Sequence, residues 1–294
     1  MINVYEQITR NKIRSGVIIS FFVAFVILVA YLITISFNLD NSLLFFAIIF
    51  SLLSSGASYF WGDKMVLGLN RARPATRKEF FNFYTVTENL SLANQNPVPK
   101  IYVIDSPAPN AFATGRDPEH AVVCATTGLL EKLNRSELEA VIAHELSHVK
   151  NYDIRLMTIV SILIGTLSIL ISIATRSTFF GRNRDNDNEG GAVLAIIGII
   201  LIIFAPIIAQ LIQLAISRRR EYFADASAVK LTRQPQKLID ALTKISQDPN
   251  KLETASTATA SLYINNPFKG NKIASLFSTH PPIEDRIKAL QQML

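Results

Sequence analysis

Charge-free and charged stretches alternate along the chain, and the charge-free ones set its architecture. Residues 15–39 (SGVIISFFVAFVILVAYLITISFNL) carry no charged side chain. About 20 helical residues cross a hydrocarbon layer, so this run is long enough to span one. It is too long for a secretory signal, and no small-residue cleavage site follows it. After Asp40, residues 41–62 are again uncharged. Their second half is rich in small residues and carries Tyr59 and Trp61, types that favour a membrane–water boundary. The two runs predict a helical hairpin over 1–62. Residues 156–175 and 190–217 predict a second hairpin over 156–217, spanning the bilayer or inserted into it. Its polar loop, 176–191, has no apolar periodicity. Pro206, Gln210 and Gln213 predict a kink or a partly buried polar face in the last run.

Between the hairpins the pattern changes. Residues 79–96 repeat apolar positions at three and four, which predicts an amphipathic helix ended by Pro97 and Pro99. Residues 101–104 and 121–126 read as short strands, with Cys124 a buried strand thiol. Residues 109–115 (PNAFATG) alternate as an edge strand does, closed by a Gly-Arg-Asp turn. His120, at an apolar strand start, reads as structural. Residues 250–278, rich in Ser, Thr, Ala and Asn, predict a long loop, either lid or linker. The terminal stretch IEDRIKALQQML predicts an amphipathic helix capped by Thr279 or His280.

One segment of 136–153 (SELEAVIAHELSHVKNYD) carries chemistry. Ser136 and Glu139 fit a capping box, so a helix is expected from there to about Asp153. On it, His144-Glu145-Leu146-Ser147-His148 is an H-E-x-x-H pattern. Histidines four apart share one helix face and can reach one zinc ion, while Glu145 can hold and deprotonate a zinc-activated water. A hydrolase of this type needs a third protein ligand and an open fourth position. Glu221 can supply that ligand. Asp225, one turn further on, can accept the second ring N–H of a ligating histidine. Glu-x-x-x-Asp alone is a weak signal, equally a solvated helix start. It gains weight because the predicted hairpin 156–217 returns the chain to where it left.

A net charge of +6 would admit a nucleic-acid partner, but the basic residues flank the apolar runs, so none is expected. Arg10, Lys12 and Arg14 precede the first run. Lys64, Arg71, Arg73, Arg77 and Lys78 follow the second, and Arg218, Arg219 and Arg220 follow the last. Positive flanks stay in the cytoplasm, which predicts four spans with both termini and the soluble segments on that side. A single cysteine fits a reducing compartment. Segments 63–155 and 218–294 form one soluble unit of about 170 residues, enough for one core.

His144-Glu145-Leu146-Ser147-His148, 110–115 (NAFATG) and 220–225 (REYFAD) resemble the motifs of the HtpX family, bacterial membrane zinc metalloproteases related to the CAAX prenyl proteases. The resemblance covers nearly the whole chain. It implies one Zn2+ per subunit held by His144, His148 and Glu221, with Glu145 as catalytic base. It also implies cleavage of misfolded or damaged membrane proteins at the bacterial inner membrane, as part of stress response and quality control. A histidine before Pro281-Pro282 is implied near the metal, so His280 is a candidate oxyanion stabiliser, with Arg286 in support. Asn110, Ala111, Phe112 and Ala113 are the candidate edge for an extended substrate.

The expected fold is therefore an α-helical integral membrane protein. Its metalloprotease domain is zincin-like, mostly α with a small β-sheet. An intramembrane protease is disfavoured by the charged flanks of the motif, and a CAAX-type prenyl-protein protease by the number of spans. A zinc-stabilised scaffold would have no use for Glu145.

Overall fold

The structure, a computed structural model, describes residues 4–36, 40–180, 219–256, 258–265, 267 and 281–294. The predicted span at 190–217 and His280 lie outside the described residues. Helices α1 (Val4–Ser36) and α2 (Ser42–Leu69) form the N-terminal hairpin. Each contains a segment long and apolar enough to cross a membrane, Ile8–Tyr31 and Leu44–Leu69. Phe45, Phe46, Leu53 and Trp61 of α2 point outward, whereas Ser51, Ser55 and Ser58 are buried. That is a lipid-facing pattern: large apolar groups outside, small residues at the helix contact.

Strand β1 (Arg73–Pro74) and helix α3 (Phe81–Ala93) follow, then strands β2 (Lys100–Ile104), β3 (Ala111–Thr114) and β4 (Val122–Thr126). The sheet order is β1-β2-β4-β3, parallel between β2 and β4 and antiparallel elsewhere. β3 is therefore an edge strand, as its sequence pattern predicts. Gly115 ends it at φ +135°, and a Cβ there would run into the carbonyl oxygen of His120. His120 itself closes the turn, its Nδ1 2.7 Å from Asp117 Oδ1. Cys124 is buried on β4.

Helix α4 (Thr127–Lys132) leads to α5 (Arg135–Lys150), which carries H-E-x-x-H. Its cap lies two residues earlier than expected. Asn134 accepts from Glu137 N at 3.0 Å, and Glu137 Oε2 accepts from Asn134 N at 2.9 Å. Asn134 holds the extended backbone a cap requires, and Ser136 already lies in the first turn. The helix also stops earlier, at Lys150. Tyr152 adopts φ 58°, and a new helix, α6 (Asp153–Phe180), begins at Asp153. α6 runs on into the first residues of the expected polar loop. Gly62 lets α2 cross α6, since a Cβ there would lie 2.6 Å from Thr158 Cγ2.

After the undescribed segment come α7 (Arg219–Thr232), α8 (Pro235–Gln247), a short 3-10 turn at Ala260–Leu262 and α9 (Ile283–Gln291). The cap position of α9 is Pro282, with no side-chain cap hydrogen bond. α5 is the central rod of this half, packed by α3, α7, α8 and β3. Val141, Ile142, Leu146 and Val149 are fully enclosed, each burial stabilising by about 1.5–3 kcal/mol. The sheet's other face packs Phe112 and Cys124 against Val66, Leu67 and Met157, joining the domain to the hairpin.

Candidate active site

α5 presents His144 and His148 one turn apart, and α7 brings Glu221 across from them. The two imidazole Nε2 atoms lie 3.2 Å apart, with the rings nearly perpendicular at 87°. Glu221 Oε2 is 3.6 Å from His144 Nε2, and Oε1 is 3.6 Å from His148 Nε2. All three residues are buried, and their donor atoms lie within 4.8 Å of one another. Ligand atoms 2.0–2.1 Å from a tetrahedral zinc sit about 3.3 Å apart. The triangle therefore has the size one ion requires.

The outer faces of the histidines fix which nitrogen is free. His144 Nδ1 lies 2.9 Å from Asp225 Oδ1, and His148 Nδ1 lies 3.1 Å from Asp153 Oδ2. A carboxylate at Nδ1 requires the proton there, which turns the Nε2 lone pairs toward each other and toward Glu221. Such an arrangement attracts a cation. The protein's own ionisation agrees: burial disfavours the imidazolium of His144, yet hydrogen bonds to Asp225 and Glu221 outweigh it and hold its pKa up at about 9. A proton occupies the role a metal can take.

Asp225 is in turn clamped by Arg286 of α9. Nε reaches Oδ2 at 2.9 Å and Nη2 reaches Oδ1 at 2.7 Å, a bidentate pair with the guanidinium fully buried. Burial raises the Asp225 pKa, but Arg286 and His144 more than offset this and keep the carboxylate ionised. Arg286 Nη1 also donates to Ile264 O at 3.2 Å and lies 3.8 Å from Glu221 Oε2. Arg286 thus holds the carboxylate that stands behind His144.

Glu145 is buried next to His144. Burial first, and then the charge of Glu145, pushes the Cys124 thiol of β4 well up. On the edge strand, Phe112 is enclosed and packs edge-on against Tyr263 at 5.1 Å. Thr126 N donates to Asn110 O, so Ala111 and Ala113 turn their backbone groups away from β4. The chain itself covers the first of these. Ile264 N donates to Ala111 O at 3.0 Å, and Asn110 Nδ2 donates to Asn265 O at 3.0 Å.

Asp153 carries no signal in a motif search. It reaches His148 across the break between α5 and α6, where Tyr152 adopts φ 58°. A sharper reading of Asn151-Tyr152-Asp153 as a helix stop would have found it.

The description of peptidase family M48 matches residues 83–294. A protease HtpX homolog of Dictyoglomus turgidum is 43% identical over 98% of this chain and 94% of its own length. One from Streptococcus equi subsp. equi is 44% identical over 98% and 99%, and one from Ligilactobacillus salivarius 40% over the same shares. Among solved structures, the crystal structure of S. mikatae Ste24p aligns with a TM-score of 0.50 at 20% identity, covering 97% of this chain and 67% of that one. That likeness shows the fold alone. Helices built for a membrane, a buried three-donor cluster on H-E-x-x-H and near-full-length relatives agree: the chain belongs to peptidase family M48, within its HtpX group of membrane metalloproteases.

Proposed function

We propose that the protein is a zinc-dependent endopeptidase whose site opens at the cytoplasmic face of the bacterial inner membrane. The observation that carries this is the donor triangle of His144, His148 and Glu221, with Glu145 on the same helix. Zinc bound there would supply Lewis acidity, acidifying a water molecule and polarising the scissile carbonyl. His144, His148 and Glu221 would hold the ion, and Asp225 orients His144. Glu145 accepts the attacking water's proton and hands it to the leaving amine. No side-chain nucleophile takes part. The buried set among the described residues has three members, which leaves a position for water, whereas a structural site would be closed by a fourth.

An extended peptide pairs with the outer edge of β3, where Ala113 directs its backbone groups away from β4. Asn110, Ala111 and Phe112 shape that edge and are themselves engaged. By its resemblance to the histidine before Pro-Pro in related proteases, His280 is assigned to the oxyanion. The substrates are misfolded or damaged membrane proteins. Four spans keep both termini inside.

Two experiments test this. Zinc should bind stoichiometrically to the purified chain in detergent and be lost in His144→Ala, His148→Ala and Glu221→Ala, with chelator-treated protein regaining cleavage of an unfolded substrate when zinc returns. Stoichiometric zinc in all three variants would contradict the ligand set. A cysteine placed in 181–189 should react with a reagent outside the cell, and protection would contradict the topology.

A further inference from the structure

The two histidines are supported by different parts of the chain. His144 leans on Asp225 and Arg286, both from the C-terminal half. His148 leans on Asp153, and the partners of Asp153 come from elsewhere. Asn11 of α1 donates from Nδ2 to Asp153 Oδ1 at 2.7 Å and to Asn151 O at 2.9 Å. Arg220 of α7 lies 3.3 Å from the same Oδ1. Asn11, Asp153, His148 and Arg220 are all buried. Arg220 adjoins Glu221, so one carboxylate joins the first membrane helix, one histidine of the triangle and the helix that carries its third member. Asn11 stands outside the segment 83–294 matched by the family.

We infer that Asn11 and Asp153 are positioning residues for the metal site, so that α1 must dock before the site reaches its full affinity. This rests on the zinc reading above. Asp153 fixes the Nδ1 proton and the ring orientation of His148, and Asn11 fixes the carboxylate. Asn11 also satisfies the carbonyl of Asn151, which the break between α5 and α6 leaves without a helical partner. Outer partners of this kind change metal affinity roughly 10- to 100-fold. A chain whose first helix has not docked would therefore hold zinc weakly, which restrains the protease until it is assembled in the membrane.

The test uses the full chain in detergent. Asn11→Leu keeps the branched shape and removes the donor, Asp153→Asn removes the charge, and the double variant closes a cycle. Zinc dissociation constants are measured by chelator competition, and the visible spectrum of the cobalt-loaded protein reports ligand geometry independently of activity. Each single variant should weaken zinc binding roughly 10- to 100-fold and alter the cobalt spectrum, and Asn11→Leu should add little once Asp153→Asn is present. Unchanged affinity and spectrum in Asn11→Leu would overturn the inference. Fully additive losses would also overturn it, because they would mean a packing defect. If Asn11→Leu does not fold, Asn11→Ala is read by the same criteria. Absence of stoichiometric zinc in the wild type would instead defeat the zinc reading itself.

Discussion

α2 and α5 are both long helices, and they solve opposite problems. α2 turns Phe45, Phe46 and Leu53 outward and hides Ser51, Ser55 and Ser58. α5 hides apolar residues and also hides Glu145, His144 and His148. In α2 the environment is apolar, so only helix contacts need small polar residues. In α5 the environment is protein, and buried polar groups meet partners from other elements: His144 meets Asp225, itself paired with Arg286, and His148 meets Asp153. Membrane surface is therefore set by composition, and the site by pairing.

Breaking a pair should cost most. Arg286→Leu strips the buried Asp225 carboxylate of its bidentate guanidinium and should destabilise by about 3–5 kcal/mol in chemical denaturation. Arg73→Ala, which frees the exposed Glu79 and Asp105, should leave the denaturation midpoint in place. Removing packing comes next. Leu146→Ala should cost about 2–5 kcal/mol, since the site is fully enclosed. Leu53→Ala on the outer face of α2 should cost far less in detergent.

Titration separates the metal-free site from the loaded one. The folded pKa of His144, about 9, lies above its ordinary value of 6.5. A raised pKa means stabilisation that is complete below 6.5 and lost as pH rises through about 9. Denaturation midpoints of chelator-treated protein should fall across that window, and zinc-loaded protein should not follow. Tyr263→Phe, which removes one hydrogen bond to Asn70 Oδ1, 2.7 Å long, should cost about 1 kcal/mol.

Periodic features were the readable ones. The two apolar runs, the edge character of 111–114 and the face shared by His144 and His148 follow from local spacing. The cap of α5 was displaced because Asn134–Glu137 and Ser136–Glu139 satisfy the same pattern, and only backbone geometry separates them. Asp153 was hidden by a left-handed residue at 152. The pairing of Arg286 with Asp225 spans 61 residues, and that of Asn11 with Asp153 spans 142. No local periodicity reports contacts of that range.

The central claim is that Glu145 is the base of a zinc hydrolase. Zinc content and cleavage of an unfolded substrate, measured together for the wild type and Glu145→Gln in detergent, test it most directly. About one zinc in each protein, with cleavage by the wild type alone, is the predicted result. Cleavage by Glu145→Gln at the wild-type rate would contradict it.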